Sequence, residues 1–341
     1  MNLVAADVSR RTCLLSRQRI SADSRRRLRV LPAPRIAFRQ LPAFLSRTML
    51  LLTRTDLTPY WRTLLILGRV SNLPTVWSNC LAGWLLGGGG SGWMFLVVCL
   101  GTTCLFLGGM FLNDAFDVEF DRQYRMERPI PSGQITVDEV WRWGFGWLGA
   151  GTVILILLSK TTGVLAVLLL VCIVIYDAVH KLVGFSPVLM AACRFFLYLV
   201  AASTAIHGVS GLAIWSAFAL GAYIVGLSFL ARQESTGGTL NYWPSYLLAA
   251  PILLALAVNA GGFRRSALLL SAILGLWIVH CLRHAFTISD PNVGRAVGGL
   301  LAGIVLVDLL AVAGGQAIWT GFAFVLLFVA ALLFQRFVPA T

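Results

Sequence analysis

An acidic cluster at the end of a long apolar segment is the part of this sequence best suited to chemistry. Asp114, Asp117 and Asp121 follow an apolar run that extends from residue 93 to residue 112. Their i, i+3, i+7 spacing places the three carboxylates on one face of a helix. Clustered carboxylates repel one another, and a divalent cation relieves the repulsion. Mg²⁺ prefers such hard oxygen ligands and often shares them with a phosphate. The alternative is an acidic helix end that is solvated at a membrane surface.

The segments that must position this cluster are long and apolar. Of the 341 residues, 58% are hydrophobic and 12% are charged, whereas globular proteins contain about 25% charged residues. About ten segments are each near the ~20 apolar residues that a helix needs to cross a bilayer. They comprise residues 62–87, 92–113, 140–158, 162–180, 186–206, 211–231, 244–260, 265–284, 294–313 and 317–336. We therefore expect an all-α, multi-pass integral membrane protein embedded in the lipid bilayer.

The N-terminal part of the chain differs in composition from the rest. Twelve of the 27 Lys and Arg residues precede Trp61, against three acidic residues there. This composition fits a transit-peptide-like leader, a disordered tail attracted to anionic lipid, or an upstream start with Met49 as the true first residue. We predict a disordered extension over residues 1–58 and a membrane domain over residues 59–338. No soluble segment combines basic and aromatic residues as nucleic-acid-binding modules do, so we expect no nucleic acid partner.

The basic residues between the apolar segments predict an orientation. Cytoplasmic loops carry an excess of Lys and Arg, and this excess is obtained when the N-terminus is cytoplasmic. The inner loops and span ends then contain Arg122, Arg125, Arg128, Lys181, Arg232, Arg283, Arg295 and Arg336, whereas the outer loops contain Lys160, Arg264 and Arg265. Both termini and the acidic cluster are therefore predicted on the cytoplasmic side of a bacterial-type cytoplasmic (inner) membrane.

This orientation brings acidic and basic residues to one face of the membrane. The acidic cluster, Lys181 and Arg232 come from the ends of the second, fourth and sixth spans. Such a site suits a diphosphate that is bridged by Mg²⁺ and neutralised by Lys and Arg. An apolar bundle below it suits a hydrocarbon tail. The sequence therefore predicts a prenyl diphosphate substrate, whose diphosphate departs while an electron-rich acceptor traps the allylic centre.

Four short motifs resemble the UbiA superfamily of membrane prenyltransferases over about residues 60 to 313. The first aspartate motif of the family is matched by Asn113-Asp114-x-x-Asp117-x-x-x-Asp121, and the family segment after it by Arg128-Pro129-Ile130-Pro131-Ser132-Gly133. The early Arg…Asn element is matched by Arg69-Val70-Ser71-Asn72. Where the family has Tyr-Pro-x-x-Lys, this chain has Tyr176-Asp177-Ala178-Val179-His180-Lys181.

The resemblance implies a bundle of about nine to ten transmembrane helices around a central cavity that opens to the cytoplasm. It implies that Asp114, Asp117 and Asp121 bind Mg²⁺ and, through it, the prenyl diphosphate, with Asn113 beside them. Lys181 would act with these carboxylates in catalysis. The acceptor would be aromatic or another small lipophilic molecule. The further residues assigned to substrate binding are Arg69, Asn72, Arg128, Asp177, His180, Arg194, Arg232 and Glu234.

One family element is reduced in this chain. The second aspartate motif of the family, of D-x-x-x-D type, corresponds to residues 226–235, where Glu234 is the one acid and Arg232 stands nearby. Asp177 and His180 are additions that could partly compensate, with Glu234 and Asp177 holding a second metal. This combination is most similar to the EboC branch, which is implicated in handling lipid precursors or a secondary metabolite. An alternative function is therefore a non-catalytic protein that binds or helps to move a polyprenyl diphosphate.

Two charged residues lie inside predicted spans. Arg194 stands about eight residues into the fifth span and Asp308 lies deep in the ninth. A charge at this depth costs several kcal/mol unless it faces a cavity or a partner. Arg194 could bind an anion or the acceptor in a cavity, or it could form a structural pair with a carbonyl or an acid. The same alternatives apply to Asp308, which is too far along its span to reach the cytoplasmic rim.

Overall fold

A computed structural model describes residues 60–236, 242–286, 292–314 and 318–338, with side chains except at residues 233–236. All regular elements within these ranges are helices. The N-terminal extension predicted for residues 1–58 lies outside the described ranges, so its disorder and the domain boundary at residue 59 stay predictions.

The described ranges contain thirteen α-helices and two short 3₁₀ turns, Val70–Asn72 and Gly261–Phe263. The helices are α1 (Tyr60–Leu67), α2 (Leu73–Leu86), α3 (Gly92–Phe116), α4 (Val118–Tyr124), α5 (Val137–Ile156), α6 (Lys160–Val179), α7 (Ser186–Ala202), α8 (Gly211–Thr236), α9 (Trp243–Leu247), α10 (Ala250–Val258), α11 (Arg264–Phe286), α12 (Val293–Ala311) and α13 (Ile318–Phe334).

Several of these helices have the length and composition of membrane spans. Five helical segments of the described chain qualify, namely Gly92–Phe116, Lys160–Val179, Gly211–Arg232, Gly261–Phe286 and Val293–Ala311. Shorter apolar helical segments are Ser186–Ala202, Trp243–Val258 and Ile318–Phe334. The predicted all-α membrane bundle is confirmed, whereas the count of nine to ten spans stays a prediction.

The first apolar segment, predicted over residues 62–87, is broken rather than continuous. Between α1 and α2, Arg69 adopts φ 42° and ψ 49° in the left-handed region, alone among the described non-glycine residues in having a positive φ. This conformation costs about 1–2 kcal/mol for a residue with a Cβ atom, and such strain is typical of functional sites. Pro74 lies in the first turn of α2, where a missing N–H is tolerated. The break directs Arg69 toward the end of α3.

Helices α3 and α5 cross with their backbones in close contact because glycines line both sides of the crossing. Gly101 and Gly108 on α3 face Gly151 and Gly144 on α5. A Cβ atom added to Gly151 would lie 2.6 Å from the carbonyl oxygen of Gly101, and one added to Gly108 would lie 2.8 Å from that of Gly144. Small residues permit membrane helices to approach this closely. The crossing holds the C-terminal half of α3, and with it the acidic cluster, against α5.

The chain leaves the acidic cluster through a tightly bonded connection. The backbone N–H of Asp121 donates to the carbonyl of Asp117 at 2.9 Å, so α4 continues the path of α3 after a single non-helical residue. After the proline-containing segment 125–135, α5 begins with a capping box in which Thr136 and Glu139 satisfy each other's backbone N–H groups. This fixed entry to α5 places Arg128 back over the carboxylates.

Candidate functional site

The three aspartates of the cluster are buried together at the junction of α3 and α4. Asp114 lies in the last turn of α3, Asp117 is the residue between the two helices, and Asp121 lies in α4. All three are buried, and Asp121 is the least exposed at 2%. Burial of three carboxylates at one helix junction requires compensating positive charge or hydrogen bonds.

Two arginines supply part of that compensation. Arg69 Nη2 lies 3.3 Å from Asp114 Oδ1 and 3.3 Å from Asn113 Oδ1. Arg128 Nη1 lies 3.1 Å from Asp114 Oδ1 and 2.9 Å from Asp121 Oδ2, so one nitrogen bridges two carboxylates. The left-handed break before α2 and the segment before α5 thus deliver their arginines to the same aspartate.

His180 and Lys181, at the end of α6, bind the third carboxylate. Lys181 Nζ lies 2.7 Å and His180 Nε2 lies 3.3 Å from Asp117 Oδ1. Lys181 Nζ also lies 3.9 Å from the centre of the Phe120 ring, and His180 stacks on Tyr176. Burial acts to raise the pKa of the Asp117 carboxyl group, but the hydrogen bonds and charges of His180 and Lys181 outweigh it, so that this pKa lies below its ordinary value.

Asp177 adds a fourth carboxylate to the site. Its Oδ1 accepts a hydrogen bond from Asn113 Nδ2 at 3.2 Å, which links α6 to the end of α3. In the part of the chain that the structure describes, Asp177 Oδ2 and Asp121 Oδ1 are buried oxygens without a hydrogen-bond partner. Buried carboxylate oxygens usually have partners. These two are therefore the atoms of the site with unused capacity for a proton donor or a cation.

Three further residues that the sequence assigned to substrate binding are Asn72, Arg232 and Glu234. Asn72 is buried at the start of α2, close in sequence to Arg69. Arg232 donates to the carbonyl oxygens of Val183 and Gly184 at 2.9 and 3.1 Å, and so binds the connection between α6 and α7. Glu234 lies among the residues whose side chains are not described. Roles in diphosphate binding for Arg232 and Glu234 stay predictions.

Arg194 lies in a buried polar network between α2, α7 and α12. Its Nη1 donates to Asn79 Oδ1 at 2.8 Å and its Nη2 to Thr75 Oγ1 at 3.2 Å. Asn79 Nδ2 and Ser78 Oγ donate to Asp308 Oδ2 at 2.7 and 2.6 Å. The sequence interpretation included Arg194 and Asp308 but missed the polar residues of α2. The i, i+3, i+4 spacing of Thr75, Ser78 and Asn79 within an apolar span was the available signal.

Two cavities lie within the bundle at different depths. One of about 70 Å³ lies between α3, α6 and α7 and reaches Asp177, and its lining also includes Phe106, Tyr176, Cys193 and Arg194. A larger one of about 230 Å³ lies between α2, α8, α10 and α12, and its lining includes Leu86 and Ser216. The larger cavity adjoins the C-terminal end of α2, whereas Arg69 and the acidic cluster adjoin its N-terminal end.

The sequence of the central part of the chain matches a known family. The UbiA prenyltransferase family model matches residues 72–236. Two relatives are both named digeranylgeranylglyceryl phosphate synthase. The one from Ignicoccus hospitalis is 31% identical over 109 residues, which cover 32% of this chain and 34% of the relative. The one from Metallosphaera sedula is 30% identical over 100 residues, which cover 29% and 35%. The chain thus matches about a third of the length of these relatives.

Solved structures of UbiA homologues share the fold. The homologue from Archaeoglobus fulgidus bound to DMAPP and Mg²⁺ gives a TM-score of 0.59 at 14% identity and covers 77% of this chain and 99% of its own. The apo homologue from Aeropyrum pernix K1 gives 0.57 at 14% identity, with 72% and 97% covered. A structure described as digeranylgeranylglyceryl phosphate synthase in membranes gives 0.54 at 20% identity, with 75% and 98% covered.

The fold and the cluster define an integral membrane helix bundle with a mixed acidic and basic site at one end of its spans. The segment from residue 72 to residue 236 belongs to the UbiA prenyltransferase family, as the sequence motifs predicted. The narrower assignment to the EboC branch stays a prediction.

Proposed function

We propose that this protein is a Mg²⁺-dependent prenyltransferase that moves a prenyl group from a prenyl diphosphate to a small acceptor. The observation that carries the proposal is the burial of Asp114, Asp117 and Asp121 among the basic side chains of Arg69, Arg128, His180 and Lys181. Solved structures of the Archaeoglobus fulgidus homologue bound to DMAPP and to GPP, each with Mg²⁺, support it.

The donor atoms of the cluster fit Mg²⁺. The cation prefers carboxylate oxygens, and Asp121 Oδ1 is a buried carboxylate oxygen without a hydrogen-bond partner in the described chain. The carboxylates face basic side chains, and no three acidic, His or Cys residues of the described ranges converge on one metal position as they stand. Asp114, Asp117 and Asp121 would hold the ion, which would neutralise the departing diphosphate. When the ion binds, some of the basic side chains that now contact these carboxylates would give up those contacts.

The basic residues of the site would bind the diphosphate oxygens directly. Arg69, Arg128 and Lys181 each contact a carboxylate of the cluster, so a diphosphate that takes the place of that carboxylate keeps every cation paired. Guanidinium groups bind phosphate oxygens through paired N–H groups, and Lys binds them as a point charge. Stabilisation of the departing diphosphate by these cations would favour cleavage of its bond to the allylic carbon.

The acceptor would reach the allylic carbon from the apolar interior or the cytoplasmic face. The name of the two relatives favours a glyceryl phosphate compound as the acceptor, beside an aromatic or another small lipophilic molecule. The excess of basic residues in the loops on the side of the cluster supports a cytoplasmic location for the site and for both termini.

A second candidate function is binding or transfer of a polyprenyl diphosphate without chemistry. The end of α8 favours it, because Arg232 is bonded to the connection between α6 and α7 and Glu234 is the one acid of that segment. Such a carrier would hold the ligand through Asp114, Asp117 and Asp121 but would lack a second metal-binding motif.

A titration of geranylgeranyl diphosphate onto the purified protein in detergent micelles tests both functions. Binding is measured with and without Mg²⁺, and free diphosphate is assayed in the same samples with 4-hydroxybenzoate or glycerol 1-phosphate present. A transferase gives Mg²⁺-dependent binding with release of diphosphate. A carrier gives the same binding without release. If Mg²⁺ does not affect binding, both proposals fail.

Replacement of Arg128 should make stability depend more strongly on the metal. In Arg128→Gln, Asp114 and Asp121 lose a shared charged donor. Hydrogen bonds to charged groups contribute about 1.5–3 kcal/mol each, and Arg128 makes two of them, so we expect a loss of at least about 1.5 kcal/mol in EDTA. Mg²⁺ should recover part of this loss and should stabilise the variant more than the wild type, as measured by thermal unfolding in micelles. Arg122→Gln, which removes an exposed partner of Glu119, is the control. An equal response of both variants to Mg²⁺ would contradict the prediction.

A further inference from the structure

Arg194 is a buried cation that forms no direct ion pair with a described residue. The residue is 8% exposed, and its two hydrogen-bond acceptors within the described ranges, Asn79 Oδ1 and Thr75 Oγ1, are neutral. A guanidinium group has five N–H donors, so these bonds leave others unused. An unpaired charge inside a membrane bundle is costly and typically faces a bundle interior or a cavity where it has a function.

The buried carboxylate Asp308 is linked to Arg194 through a neutral amide. Asn79 donates to Asp308 Oδ2 at 2.7 Å and accepts from Arg194 at 2.8 Å, so its side chain stands between the two charges. A direct ion pair would have engaged the N–H groups of the guanidinium with the carboxylate. The relay through Asn79 instead orients Arg194 and leaves three of its five N–H groups without an acceptor in the described ranges.

Arg194 lines the cavity of about 70 Å³ that Asp177 also lines. The remaining wall is mostly apolar, and the centre of the Phe106 ring lies 5.8 Å from the guanidinium carbon. The volume is about half that of the ~150 Å³ cavity known to admit benzene. The cavity therefore suits a small group, such as a carboxylate or a phosphate end group. A long hydrocarbon tail would exceed this volume and would leave the charge of Arg194 unpaired.

We propose that Arg194 binds an oxyanion of the acceptor substrate in this cavity and that Asp308, acting through Asn79, is its positioning residue. The inference rests on the proposed transferase function and specifies its second substrate: a small molecule with a carboxylate or a phosphate at one end. With its anionic end group bound at Arg194, the rest of that molecule extends past Asp177 toward the acidic cluster, where the allylic carbon of the donor would lie.

The test measures binding of two anionic probes to the full-length protein in micelles with Mg²⁺ and a non-transferable thio analogue of geranylgeranyl diphosphate. The probes are 4-hydroxybenzoate and glycerol 1-phosphate, and the neutral analogues 4-hydroxybenzamide and glycerol serve as matched ligands. We expect one anion to bind at least about tenfold more tightly than its neutral analogue, as a charged hydrogen bond allows. Arg194→Gln should abolish this preference, and Arg194→Lys should retain part of it. Arg122→Gln removes the same charge from an exposed site and should leave it unchanged.

A double-mutant cycle separates positioning from general stability. Asp308→Asn alone should weaken binding of the preferred anion about threefold to tenfold, and in the Arg194→Gln background it should have no further effect, because coupled residues are not additive. Equal effects in both backgrounds would overturn the positioning role.

Failure of both anions to bind the wild type, or unchanged preference in Arg194→Gln, would overturn the oxyanion site. Mg²⁺-dependent binding of the thio analogue reports on the donor site in the same samples. If this binding is absent while the anion still depends on Arg194, the proposed function fails and the oxyanion site stands.

Discussion

Asp117→Asn should reduce Mg²⁺-dependent binding of geranylgeranyl diphosphate and release of diphosphate by at least about 100-fold. Loss even of the residues that merely orient metal ligands costs 10–100-fold, and Asp117 is a proposed ligand. It also accepts from both Lys181 and His180 at one oxygen, Oδ1. The lowered pKa of its carboxyl group keeps it ionised at neutral pH. The amide lacks the charge that would attract the metal and that holds these two basic side chains at the end of α6.

Glu119→Gln is the matched control for this substitution. Glu119 is an acid two residues further along the chain, but its side chain is 77% exposed and pairs only with the exposed Arg122 in the described structure. Exposed pairs of this kind contribute little, so binding and release should stay within about twofold of the wild type. Thermal unfolding without ligand should show a cooperative transition for both variants, which establishes that a loss of binding in Asp117→Asn does not come from loss of the fold. Full binding and release by Asp117→Asn would remove the acidic cluster from the mechanism.

Gly151→Ala should destabilise the folded bundle by about 1–3 kcal/mol, the usual cost of overpacking. The added methyl group would lie 2.6 Å from the carbonyl oxygen of Gly101 and 2.9 Å from the backbone nitrogen of Leu105, so helices α3 and α5 must separate. Because α3 carries the acidic cluster at its C-terminal end, the separation should also weaken donor binding. Thermal unfolding and titration of the donor in the same micelles measure the two effects.

Gly149→Ala on the same helix isolates the contribution of packing. A Cβ atom at Gly149 meets nothing within 4 Å, and Ala is favoured over Gly in a helix by up to about 1 kcal/mol. This variant should therefore be as stable as the wild type or more stable, with unchanged donor binding. The difference in the free energy of unfolding between the two variants measures the cost of a methyl group at the close crossing. Equal stability of both variants would show that the crossing tolerates a methyl group.

The acidic cluster could be predicted from the sequence because its parts are local. Asp114, Asp117 and Asp121 lie within eight residues of one another, and helical geometry alone brings them together. Lys181 was also predicted near them, because loop charges orient spans and therefore assign span ends to one membrane face. His180 was assigned to the site only through the resemblance of residues 176–181 to a family motif. The individual pairings were not predictable. The sequence assigned Arg128 to substrate binding, but its contact with both Asp114 and Asp121 depends on how the chain returns to α5.

The sequence by itself determined the membrane bundle, the family of residues 72–236 and the identity of the clustered carboxylates. These properties follow from composition and from spacing along a helix, which do not require knowledge of distant contacts. Only the tertiary structure decided that Arg69 turns toward Asp114 through a left-handed break and that Asp308 supports Arg194. Asn79 and Asp308 are 229 residues apart, and apolar spans have the same composition whether their faces meet lipid, a cavity or another helix. The packing of α2 against α7 and α12 therefore selects which buried polar groups meet.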